Sequence, residues 1–115
     1  MRILVVAEDE AIGRALARVF LSADASVDFV AELAAVGTAL TRMNFDAVVA
    51  DQSQRSDLAL RCLLLARQHQ PAASRFVVLP EGDRVPPELL GVEPVVLRKP
   101  WQNAALLSAF GLRAP

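Results

Sequence analysis

The sequence predicts an α/β fold in which a parallel sheet is covered by helices on both faces. Short apolar runs of strand length recur along the chain, and the intervals between them carry apolar residues at helical spacing. The third observation is composition. With 115 residues and a 54 % apolar fraction, the chain holds enough apolar side chain for one sizeable core, and residues 1–115 read as one domain.

Ile3-Leu4-Val5-Val6 is wholly apolar, the pattern of a strand buried on both faces. Similar runs follow at Ala47 to Ala50, Phe76 to Leu79 and Val95 to Leu97. Ser26 to Ala31 alternates more and reads as a less buried strand near an edge. Ile12, Leu16, Val19 and Phe20 make one face of a first helix, and Leu33, Val36, Leu40 and Met43 repeat the pattern in a second. Leu60, Leu63, Leu64 and Arg67 continue it in a third, which Ser56-Asp57 can cap with side-chain oxygens. Pro86-Pro87 and Gly91 leave room for about one or two turns in a fourth. A last helix follows Pro100, a residue suited to a helix start, with Ala104, Leu107 and Phe110 on one side. Strands alternating with helices imply right-handed crossovers and hence parallel pairing.

Twelve basic and 13 acidic residues give a formal charge of −1. A balanced surface excludes a nucleic-acid module, which needs a basic face to neutralise phosphates. A charge near zero does little to hold copies apart, which leaves a homodimer open. Cys62 is the one cysteine, so no internal disulfide forms, and its leucine-rich helix reads it as an inert buried thiol. No apolar run reaches the ~18 residues of a membrane span, and the first strand begins at once. The expectation is a cytoplasmic domain.

In an open parallel sheet, ligands sit beyond the carboxyl ends of the strands. The first strand runs into Glu8-Asp9-Glu10, with no glycine before Gly13 to let backbone approach a pyrophosphate. The third strand ends at Asp51, the fourth at Pro80 and the fifth at Arg98-Lys99-Pro100. Carboxylates from two strand ends suit a hard cation such as Mg²⁺. Lys99, the only lysine beside 11 arginines, is a compact charge for an incoming phosphoryl group. The acid run also suits a helix N-terminus, where negative charge opposes the macrodipole. His69 sits near a helix end, where a cation suits the dipole, and Trp101 reads as a packing or partner-facing residue.

RILVV followed by acids, FDAVVAD closing on Asp51, and VVLRKPW with Lys99-Pro100 resemble the receiver domain of bacterial two-component response regulators, across essentially the whole chain. The resemblance implies a flavodoxin-like (βα)5 fold with strand order 2-1-3-4-5 and a shortened fourth helix. It implies Asp51 as the acceptor of a phosphoryl group from a sensor histidine kinase or phosphotransfer protein, signalling to a downstream effector. Mg²⁺ would be held by Asp51, Glu8 or Asp9 and the backbone carbonyl of Ser53, and Lys99 would pair with phosphoryl oxygens. Such a domain accepts a group without turning over a metabolite.

Several positions depart from that family. An ungapped reading puts Ala7 and Glu8 in the two slots of the acidic pair. A slip of one residue puts Glu8 and Asp9 there, at the cost of a bulge. Pro80 replaces a Ser or Thr hydroxyl, and Val96 replaces an aromatic. Gln52 to Ser56 lacks the usual Met-Pro, and Ala59 stands where glycine is usual. Rules broken only around a site signal a changed function. Two functions follow: a phospho-accepting receiver with an atypical switch at Pro80 and Val96, or a phosphorylation-independent interaction module.

Overall fold

The computed structural model describes residues 1–52 and 56–115. Among them five strands, β1 (Arg2–Val6), β2 (Ser26–Val30), β3 (Ala47–Asp51), β4 (Ser74–Leu79) and β5 (Val95–Arg98), alternate with helices α1 (Glu10–Ser22), α2 (Leu33–Arg42), α3 (Leu58–His69), α4 (Pro87–Leu90) and α5 (Asn103–Ala109). Every strand pair is parallel, and the order is β2-β1-β3-β4-β5, the flavodoxin-like arrangement. The order reverses between β1 and β3, which opens a crevice at their carboxyl ends. Among the described residues no helix is long and apolar enough to cross a membrane.

Alternation along the strands divides the core in two. Leu4, Val6, Val48 and Ala50 pack with Val36 and Leu40 of α2 and with Cys62, Leu63 and Ala66 of α3. Ile3, Val5, Ala47 and Val49 face the other way, onto Leu16 and Phe20 of α1 and Leu106 and Leu107 of α5. Phe110 joins that second layer, edge-on to Phe20 at 4.6 Å and stacked on Phe76 at 3.9 Å between ring centroids. Helix α1 crosses β2 so closely that a Cβ on Gly13 would lie 2.3 Å from the Phe29 ring. Any larger residue there would have to displace that ring.

Gln70, just past α3, closes the opposite end of the sheet. Its amide nitrogen donates to Leu40 O at 2.9 Å and Met43 O at 2.6 Å, and its oxygen accepts from Phe45 N–H at 2.7 Å. One side chain thus satisfies the backbone of the α2–β3 turn. No sequence pattern marks this contact, because the partners lie 25 to 30 residues away.

The structure corrects several expectations. Helix α3 buries Leu58, Ala59, Cys62, Leu63 and Ala66, while Leu64 is 39 % exposed. The small residues let α3 approach the sheet, so size rather than leucine content chose the inner face. In α5, Leu106 is buried and Ala104 is exposed. Pro100 precedes that helix rather than starting it, and carries a cis peptide bond with Lys99. At α3, Ser56 Oγ accepts from Leu58 N–H at 3.0 Å, but Asp57 makes no cap bond and pairs with Arg61 at 2.7 Å. Strand β5 is apolar in sequence yet lies at the sheet edge, where Val95 is 50 % exposed.

Two outcomes follow from this packing. Phe20→Ala removes a ring that is fully buried against Phe110, and unfolding in urea should show a loss of about 3–5 kcal/mol. Burial pushes the Cys62 thiol up to about 12. Almost no thiolate is therefore present at neutral pH, and the thiolate is the reactive form. A thiol reagent should label Cys62 at the rate of unfolding, with labelling of the native protein negligible until strongly alkaline pH.

Candidate functional site at the sheet rim

Parallel strands deliver their carboxyl ends to one rim, so Ala7, Asp51, Pro80 and Lys99 emerge on the same side. Strand β1 pairs as far as Val6 with Val30 and Ala50, and the Ala7 N–H still donates to Val30 O at 3.2 Å. The ladder runs on without a bulge and sets Ala7 level with Asp51. This is the ungapped register, with a fully buried methyl group where a first carboxylate would stand.

Asp51 closes β3 opposite Val78, and the next amide, Gln52 N–H, donates to Val78 O at 2.9 Å. On the neighbouring path Lys99 N–H donates to Leu79 O, also at 2.9 Å. These two backbone anchors bring Lys99 Nζ to 2.7 Å from Asp51 Oδ1. The Asp51 side chain is 4 % exposed and that of Lys99 26 %. A carboxylate so buried requires a counter-charge. No hydrogen bond of regular geometry reinforces Asp51 Oδ1 among the described residues. The contact is an ion pair, and the ammonium keeps one side in water.

The other acids have separate tasks. Asp9 Oδ1 accepts from Ala11 N–H at 2.9 Å and Ile12 N–H at 3.4 Å, which makes Asp9 the N-cap of α1. Glu10 pairs with Arg14 one turn along. Glu8 accepts a hydrogen bond from the Ser56 hydroxyl, which ties the β1–α1 turn to the segment entering α3. Asp51, Glu8 and Asp9 do line one cavity of about 490 Å³, together with Gln52, Pro80 and Lys99. Among the described residues, however, no group of three His, Cys, Asp or Glu side chains could hold a metal ion. Mg²⁺ needs only one or two carboxylates beside its waters, and the acids lining this cavity are oxygen donors of that kind. Ser53, the fourth expected ligand, lies outside the described residues.

Pro80 stands at the cavity wall with no hydroxyl and no N–H to offer. Its carbonyl accepts from Asp83 N–H at 3.3 Å and from Arg98 Nη1 at 3.4 Å. Val96 packs against the α2–α3 side of the core. Beside the acid cavity, Ala11, Ile12, Ala15, Pro100 and Trp101 line a smaller apolar cleft that also reaches Lys99. The bridge between Glu8 and Ser56 carried no sequence signal, since its partners are 48 residues apart.

The ion pair can be tested by a double-mutant cycle. Lys99→Met strands a buried carboxylate and should destabilise by about 1–3 kcal/mol, less than a fully buried pair because Lys99 keeps contact with solvent. Adding Asp51→Asn should recover most of that loss, read from urea midpoints at constant m.

No protein-family model matches the chain, and no curated protein does. Solved structures do. A chemotaxis protein of Vibrio cholerae is 15 % identical with a TM-score of 0.80, over 96 % of this chain and 95 % of that one. A response regulator receiver protein of Sinorhizobium medicae is 18 % identical with a TM-score of 0.79, over 96 % and 91 %. The receiver domain of a Pseudomonas aeruginosa sensor histidine kinase, solved with magnesium in its active-site cleft, is 16 % identical with a TM-score of 0.75, over 95 % and 93 %. At such identities the likeness is one of backbone. Its strand order, its shortened fourth helix and these neighbours give this chain the fold of response regulator receiver domains.

Proposed function

We propose that this chain is a signalling receiver in which Asp51 accepts a phosphoryl group from a phosphohistidine on a sensor kinase or phosphotransfer protein. The observation that supports it is the buried Asp51–Lys99 pair, opening into a cavity at the carboxyl rim of a parallel sheet. An Asp51 oxygen attacks phosphorus, the phosphorus–nitrogen bond of the donor breaks, and its electron pair leaves on the imidazole. The product is an acyl phosphate. Lys99 then transfers its attraction from the carboxylate to the phosphoryl oxygens, which offsets charge in the transferring group. Pro80 supplies no donor to those oxygens, so Lys99 carries more of the load.

Mg²⁺ would be held by Asp51 with Glu8 or Asp9, and its charge would offset that of the transferring group. Partners would be the phosphodonor protein and a downstream effector, and the domain would act in the cytoplasm. Its chemistry is acceptance of one group rather than turnover of a metabolite.

A second function is favoured by a specific observation. Ala7 occupies the level of a first acid, and the remaining acids are spent on a helix cap and a loop tether. Those features suit a module that docks partners whether or not Asp51 is modified.

Incubation with acetyl phosphate, with and without Mg²⁺, followed by intact mass separates the two. The receiver should gain one phosphoryl group, and Asp51→Asn should gain none. No added mass under either condition overturns phosphoryl acceptance and leaves the docking module.

A further inference from the structure

The connector from β4 to β5, residues 80–94, contains only the single turn of α4. Its hold on the body of the protein starts with two fully buried side chains, Leu89 and Val92, which plug the α2–α3 side of the core. The carbonyls of Leu89 and Leu90 in that turn accept from Val92 and Glu93 N–H. Arginines from the surrounding elements take carbonyls on either side of it. Arg67 of α3 donates Nη1 to Gly91 O at 2.9 Å, and Arg75 of β4 donates Nε to Val92 O at 3.3 Å. Arg98 of β5 donates Nη1 to Asp83 O, and to Pro80 O at 3.4 Å. Among the described residues none of the three forms an ion pair.

We propose that Arg67, Arg75 and Arg98 form a clamp that keeps residues 80–94 in one arrangement whatever the state of Asp51. The three grips fall at both ends of the connector, at 80–83 and at 91–92, and come from α3, β4 and β5. A segment held at both ends from three elements has little freedom to swing as a unit. Each bond is charge-assisted and runs to a backbone oxygen, so it does not depend on a second titrating side chain. The connector's exposed face, which includes Leu90, is then a fixed surface. The inference holds for either fate of Asp51.

Amide hydrogen exchange tests this on the full chain. The reporters are Asp83 N–H, bonded to Pro80 O, and Val92 and Glu93 N–H, bonded to Leu89 and Leu90 O. In Arg67→Ala and Arg98→Ala these amides should exchange about tenfold faster, with Val48 and Val77 in the central strands unchanged. Arg67→Lys and Arg98→Lys, which keep the charge and lose the fork, should show a smaller acceleration and serve if an alanine variant does not fold. In protein with the native arginines, the reporters should exchange at the same rate in the Asp51→Asn variant, and after treatment with acetyl phosphate. Reporter rates that change with Asp51→Asn overturn the clamp. So do arginine variants whose reporters stay at the native rate, or accelerate only in step with the central strands. A chain that takes up no phosphoryl group fails the receiver proposal alone, because the arginine variants and Asp51→Asn are still read.

Discussion

A carboxylate buried at the end of a central strand would be intolerable without a nearby positive charge, and one ammonium meets that demand. The pairing of Asp51 with Lys99 works because parallel strands bring residues 48 positions apart to one rim in a fixed register. The backbone bonds from Gln52 to Val78 and from Lys99 to Leu79 locate both groups before any side chain turns. Topology therefore supplies the geometry, and the local sequence supplies the charges. Solvent access on the lysine side keeps the pair approachable.

The acids around that pair show how one residue type divides its labour. Asp9 satisfies free amides at a helix start, Glu8 links two loops, and only Asp51 faces the ammonium. Three carboxylates lining one hollow are thus not equivalent, and their hydrogen bonds tell them apart more clearly than their proximity. The same holds on the opposite wall. Pro80 is silent as a donor, yet its carbonyl is engaged by Arg98, which carries the rim into the β4–β5 connector.

The sequence made the architecture legible because period-two and period-3.6 patterning alternate cleanly, and the short stretch between Pro87 and Gly91 leaves room for about one or two turns. Asp51, Lys99 and the edge position of β2 were readable on the same grounds. What escaped was long-range or depended on size. Nothing near Glu8 marks Ser56 as its partner, and nothing near Gln70 marks the turn it closes. The inner face of α3 was misplaced because leucines line several sides of it, and packing distance favoured Ala59, Cys62 and Ala66. Strand β5 was judged by composition, whereas its exposure follows from being last in the sheet. The register at Ala7 was open in sequence, since two alignments differ by one residue, and only the ladder to Val30 distinguishes them.

The cap at Asp9 has one more consequence. Gly13 N–H bonds Asp9 O at 3.0 Å, and Gly13 is the residue against which the Phe29 ring lies. An occupant of the hollow that drew the Asp9 carboxylate to itself would leave the first turn of α1 to fray. The loosening would begin one turn from an edge strand on the far side of β1. The acid at the rim and the glycine that meets the outermost strand thus share one helical turn.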